Sequence, residues 1–177
     1  MSSDLVPPTY PKVPTWRRSA ALVTDLLIVS LLSSLLSFNG VIRFLLFIFF
    51  WLTLRVFLVA KNHGQSLGRW AFDQKVIDPR YNKTPGILEL SRREGVMGLC
   101  VYLATLGLSG LVSGNAGILL FWIPISVDCG LALFDTTRNP QTFHDRLGRT
   151  LIVGTQRGYS LDIKIRNWVD KIKKDMK

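Results

Sequence analysis

The stretch spanning residues 16–37 constrains this chain more than any other. It reads WRRSAALVTDLLIVSLLSSLLS: two arginines, Arg17 and Arg18, then an apolar run interrupted by one carboxylate, Asp25. From residue 19 onward the run has the roughly 17–25 residues that a membrane-crossing helix needs. A charge inside such a helix costs roughly 2.5–3.5 kcal/mol on insertion scales, so Asp25 is expected to face protein or water and to have a partner.

Three more apolar segments follow, at residues 41–59, 95–112 and 116–134. Only Phe38-Asn39-Gly40 separates the first two, and only Ser113-Gly114-Asn115 the last two. Breaks this short predict two antiparallel helical hairpins. The expected fold class is an all-α membrane protein with about four transmembrane helices. Its domains are a proline-rich arm over 1–15, a transmembrane domain over 16–155 and a tail over 156–177. The arm, with Pro7, Pro8, Pro11 and Pro14, reads as extended or disordered. It is not expected to be a signal peptide, being too long and proline-rich for an n-region.

Lysine and arginine total 22 against 12 acidic residues, a net charge of +10. A soluble protein this basic points to nucleic acid. Here the basic residues lie mainly outside the apolar runs, so no nucleic-acid partner is expected and the charge is assigned to topology and anionic lipid. Lys12, Arg17 and Arg18 precede the first run. Lys61, Arg69, Lys75, Arg80, Lys83, Arg92 and Arg93 fill the 60–94 connection, and the short turns have none. The positive-inside rule then puts both termini and that connection in the cytoplasm. Arg43, at the outer end of the second run, would snorkel.

Within the connection, residues 71–78 read as a short strand. Thr84-Pro85 reads as the cap and first residue of a short interfacial helix carrying Ile87, Leu88 and Leu90. Residues 151–153 read as a second strand. Pairing the two makes a ribbon that is marginal alone and needs support. At the end, Ile165, Trp168, Val169, Ile172 and Met176 recur at helical spacing among Lys164, Arg166, Lys171, Lys173 and Lys174. This is a basic amphipathic helix, suited to an anionic leaflet or to a partner protein.

The order of the polar boxes resembles the RDD family of integral membrane proteins. An arginine heads the first span, with Asp25 seven or eight residues later. Gly64 to Arg69 forms a Gly-x-x-x-Gly-Arg loop around Ser66 and Leu67. Val76-Ile77-Asp78 closes a strand, and His144-Asp145-Arg146-Leu147 through Thr150 follows the last span. The resemblance covers about residues 14–155. It implies that the family's named residues are Arg17 or Arg18, Asp25 and Asp145. It departs from the family's commoner pattern at Ser66, where Thr is usual, and at Arg69, where Lys is usual. For function it implies only ligand transport or ion/proton exchange, since most members have no assigned role.

Depth gives an independent grouping. Asp25 lies about 9–10 Å inside the first helix at 1.5 Å per residue. Asp128, six residues before Phe134, lies at a similar level, and Arg55 is slightly shallower. If the helices are neighbours, these charges form one cluster, with Arg18 on the same face as Asp25. Pro124 is expected to remove the donor to Leu120 and kink the fourth helix. Two readings stand: an ion-paired cluster fixing helix register, or a protonatable or cation-binding carboxylate pair. Ser30, Ser33, Ser34 and Ser37 either line a polar path or bond back to their own helix. Gly107, Gly110 and Gly114 predict close helix packing. Trp51 and Trp122, near mid-membrane, are expected to contact other helices, and Cys100 and Cys129 to be small buried hydrophobes.

His144-Asp145 invites an enzyme reading, but the other histidine is His63, and neither a zinc motif nor a nucleophile elbow is present. The expectation is no enzyme, no metal and no cofactor. Asp145 is expected to cap backbone donors or pair with Arg146, Arg149 or the 64–69 loop. Two functions remain open: a small transporter-like protein working as a homo-oligomer, or a non-catalytic accessory subunit among other membrane proteins.

Overall fold

The computed structural model describes residues 10–134, 141–155 and 160–175. Residues 1–9 of the expected 1–15 arm and the apolar position Met176 lie outside the described residues, as do the side chains of Val169, Lys173 and Lys174. Three helices are long and apolar enough to cross a membrane. The first, α1 (Thr15–Leu35), starts directly after Pro14, four residues before the apolar run, so Arg17 and Arg18 sit in its first turn. The second is made of α2 (Gly40–Leu52), a π-helical turn (Thr53–Phe57) and α3 (Leu58–Lys61). Asn39 caps it by accepting from Ile42 N at 2.8 Å, so the Asn-Gly turn doubles as a helix start.

The third span differs from expectation. Thr84 is not the cap: Gly86 is, and α5 (Ile87–Val112) runs 26 residues without a separate interfacial helix. The fourth expected span is broken. Residues Ala116–Trp122 form a 3₁₀ helix, and α6 (Ile123–Phe134) follows. Pro124 therefore lies in the first turn of α6, where a missing N–H breaks no helix bond, rather than at a mid-helix kink. Glycine explains why the 3₁₀ segment can lie on α5. A Cβ at Gly110 would collide with Ile118, and one at Gly107 would lie 2.6 Å from the Trp122 ring. Trp122 nonetheless keeps 40% of its surface exposed, and Cys129 is exposed rather than buried.

The connection folds as a helix and a strand rather than one strand. Ser66 caps α4 (Leu67–Ala71), which takes up the start of the stretch expected to be extended. Strand β1 (Gln74–Ile77) then pairs antiparallel with β2 (Leu151–Gly154), Gln74 opposite Gly154 and Ile77 opposite Leu151. The ribbon is supported on both sides. Val76 packs with Val56, Val59 and Leu90 of the spans. Ile77, Leu151 and Val153 pack with Tyr10, and Gly154 N donates to Pro11 O at 3.1 Å. Gly64 (φ +87°) lets the loop cross β1, since a Cβ there would meet Val76 O. The short helix α7 (Phe143–Leu147) precedes β2, and α8 (Leu161–Asp175) forms the tail, with Ile165 and Trp168 exposed.

The core of the bundle is Val29, Phe47, Trp51, Met97, Val101 and Tyr102, drawn from α1, α2 and α5. Trp51 is fully buried, and its Nε1 donates to the Glu94 carbonyl at 3.0 Å. Outward positions such as Leu27, Leu31, Leu45, Phe49 and Leu108 are exposed, as lipid-facing positions of a membrane bundle are. A Cβ on Gly98 would lie 2.7 Å from the Trp51 ring, whereas one on Gly95 meets nothing within 4 Å. Gly98→Ala should therefore cost about 1–3 kcal/mol through overpacking, and Gly95→Ala should be neutral or slightly stabilising. Thermal unfolding of both variants in one detergent checks this; equal shifts would contradict the packing.

Candidate functional site

Asp25 is fully buried and has three donors. Arg55 Nη1 reaches its Oδ2 at 2.8 Å, Ser66 Oγ donates to the same oxygen at 2.6 Å, and Gly68 N donates to Oδ1 at 2.7 Å. The backbone of α4 can come this close because residue 68 has no side chain: a Cβ there would collide with Ala21 O. Ser66 does two jobs, capping α4 by accepting from Arg69 N at 3.3 Å while it donates to Asp25.

Arg55 leaves its helix at the π-helical turn, a feature that re-aims side chains and recurs at functional sites. Its Nε donates to Glu94 Oε2 at 2.6 Å while Nη1 holds Asp25, so one guanidinium joins α1 to α5. It also lies 4.8 Å from the Trp51 ring centroid. Arg69 Nη2 donates to Glu94 Oε1 at 2.7 Å. Burial, then repulsion from Arg55 and Arg93, pushes the pKa of Arg69 down to about 9, against the pull of Glu94 and Asp25.

The second half of the network centres on Asp145, also fully buried. Thr142 and Asp145 form a capping box at the start of α7, which fixes the carboxylate's position. Arg93 approaches Asp145 Oδ1 with Nε at 3.0 Å and Nη2 at 2.7 Å, and Arg18 Nη2 donates to Oδ2 at 2.7 Å. Arg93 Nη1 lies 3.3 Å from Glu94 Oε1, which links the two halves. Asp128 accepts from His144 N at 2.9 Å and lies 2.6 Å from His144 Nδ1; His144 Nε2 is 3.6 Å from Asp145 Oδ1. Burial raises the pKa of Asp145, but Arg93, His144 and Arg18 outweigh it and hold the carboxyl below the usual carboxylate range.

The result is one chain of buried charges: Asp25, Arg55, Glu94, Arg69, Arg93, Asp145, Arg18, and Asp128 through His144. Four carboxylates meet four guanidiniums, so the group is neutral when His144 is neutral. The expected Asp25–Arg55 pair is present. Asp128 joins them only through His144, because α7 presents that side chain to α6 first. Arg18 shares a helix face with Asp25 yet pairs with Asp145. Asp145 caps its helix as expected, but its charge partners are Arg93 and Arg18 rather than Arg146, Arg149 or the 64–69 loop. Arg146 stays at the surface, and Thr150 is buried, with its N donating to Asp145 O at 2.9 Å. Arg17 offers its backbone carbonyl to Gln74 Nε2 at 2.7 Å, and its guanidinium lies 5.5 Å from the Trp16 ring centroid. Ser33 and Ser34 bond back to their own helix, at Val29 O and Leu31 O.

Sequence reasoning passed over Glu94 and used Arg93 only for topology. The signal was an acidic residue placed between two arginines and the apolar run that begins at Gly95. Among the described residues no group of three or more His, Cys, Asp or Glu side chains is placed to hold a metal.

A bundle with three membrane-length helices, tied at one end by buried ion pairs to two polar boxes, defines a class of small membrane proteins. A model of the RDD family matches residues 12–149, and the chain belongs to that family. No curated protein and no solved structure matches it.

Two outcomes follow from this geometry. Glu94→Gln weakens the hold on Arg55 and Arg69 together and should cost about 3–5 kcal/mol, read as a fall in thermal stability in detergent. Asp145 has a folded pKa below its unfolded value of about 3.9, so its ionised form stabilises the fold above about pH 4. That contribution disappears as pH falls toward the folded pKa. The stability gap between wild type and Asp145→Asn should therefore be constant from about pH 7 to 5 and narrow below about pH 4.

Proposed function

We propose that this chain moves an ion or small solute across a membrane, using the buried charge network as its site. One observation carries the reading: a cavity of about 340 Å³ is bordered by Arg18, Arg55, Arg69, Arg93, His144 and Asp145. A network that served only to fix helix register needs no open space beside it. The positive-inside pattern of the sequence supports a cytoplasmic position for this end of the bundle and for both termini. The basic face of α8 then meets the anionic leaflet. A bundle this small rarely encloses a pathway alone, so a homo-oligomer is part of the reading. His144 is engaged by Asp128 and Asp145, which fits a positioning contact better than an enzyme's general base.

The second reading is a non-catalytic accessory subunit of a larger membrane complex. It draws on the broken fourth span, where Leu119, Trp122, Ile123, Val127, Leu131 and Phe134 line an outward-facing groove. Stable co-purification with unrelated membrane subunits in mild detergent supports it; a lone homo-oligomer supports transport.

The direct test is ion and proton flux in proteoliposomes with wild type, Asp25→Asn and Asp128→Asn. The transport reading expects wild-type flux and a loss of at least tenfold in one variant. Absence of wild-type flux, or equal flux in all three proteins, sinks it.

A further inference from the structure

We propose that the cavity binds an organic oxyanion, its phosphate or carboxylate head on Arg69 and Arg93 and its apolar body against Leu22, Met97 and Ile152. This rests on the cavity of the preceding reading but does not require flux. The first argument is the asymmetry of the wall. All four arginines of the network border the cavity, yet Asp145 is the one network carboxylate residue that does; Asp25, Glu94 and Asp128 do not line it. A neutral network thus shows its cationic side to the space.

The second argument is unused donors. Arg69 Nη1 and both terminal nitrogens of Arg93 are buried and have no hydrogen-bond partner among the described residues. Arg93 Nη1 and Nη2 lie close to Glu94 and Asp145, but neither contact is aligned as a hydrogen bond. A buried guanidinium donor left unmade is costly, and a guanidinium has nothing to offer but donors. Arg69 and Arg93 border the cavity, and an occupant that presents acceptors on that side supplies what these donors lack. An oxyanion does so with the planar, forked geometry that arginine matches best. It also relieves the mutual repulsion of Arg55, Arg69 and Arg93.

The third argument is the rest of the wall. Trp16, Ala21, Leu22, Met97 and Ile152 border the same space, which favours an occupant with an apolar portion over water or a bare inorganic ion. A soluble metabolite and a lipid both carry such a head, and the two sources share this chemistry.

The full chain in phosphatidylcholine nanodiscs tests it with four probes: hexyl phosphate, hexanoate, inorganic phosphate, and phosphatidic acid added to the disc. The expected result is saturable stabilisation by hexyl phosphate or hexanoate, at least tenfold tighter than by inorganic phosphate if the source is soluble. Stabilisation by phosphatidic acid alone identifies a lipid source. Arg69→Gln should weaken the effective probe by roughly tenfold or more. Because that variant also loses a bond to Glu94, a second measurement uses wild type. Cys129 borders the cavity, so the effective probe should slow its maleimide labelling, read by site-resolved mass spectrometry. No stabilisation by any probe, or unchanged Cys129 labelling under the stabilising probe, overturns the proposal. Binding without flux leaves this site standing and removes the transport reading; flux without binding does the reverse.

Discussion

The fold turns on Arg55. A carboxylate on α1 and another on α5 are both buried, and neither is stable there without a charged donor. One guanidinium serves both because its nitrogens form a fork, with Nε on Glu94 and Nη1 on Asp25. A lysine has no such geometry and would hold one carboxylate at the expense of the other. The π-helical turn puts this fork between the two helices, and Trp51 packs beneath it while bonding the Glu94 carbonyl. The same contacts therefore set the spacing of all three spans.

Asp25 also explains the loop between the second and third spans. Arg55 leaves lone pairs on the carboxylate, and Ser66 and Gly68 supply the remaining donors. The hydroxyl at 66 needs only to be an alcohol on a short side chain. Arginine at 69 adds a donor to Glu94 and has a second terminal nitrogen, Nη1, with no hydrogen-bond partner among the described residues. The ribbon then follows from α4, since β1 begins directly after it and β2 is brought in by α7.

The charges that the resemblance singled out, Arg18, Asp25 and Asp145, do not form one triad. Asp25 belongs to Arg55, and Arg18 belongs to Asp145. Arg93 and Glu94, neighbours in sequence at the start of α5, join the two pairs by facing opposite halves of the network. Charge balance, four carboxylates with four guanidiniums, lets the group be buried at all. Its display toward the cavity is unequal, with four arginines and one carboxylate residue along the wall.

Composition and apolar periodicity alone determined that the chain is a membrane bundle, because a run such as 19–37 has few other stable environments. The boxes were legible in the same way: Asp25 inside an apolar helix demands a partner, and Arg55 at matching depth was its natural candidate. The tertiary structure decided everything that depends on direction rather than depth. Arg18 and Asp25 share a helix face, yet that face is covered by different elements at its two ends, so each charge meets a different neighbour. Asp128 matched Asp25 in level but is reached first by His144, whose position depends on how α7 folds back. Glu94 lay just outside the apolar run in sequence and was brought inside only because α5 begins at Ile87 and carries its first turns into the core. The break in the fourth span was equally hidden, since its residues are apolar enough for either helix. What bent it into a 3₁₀ segment is contact with the glycine face of α5, and a linear pattern carries no record of that contact.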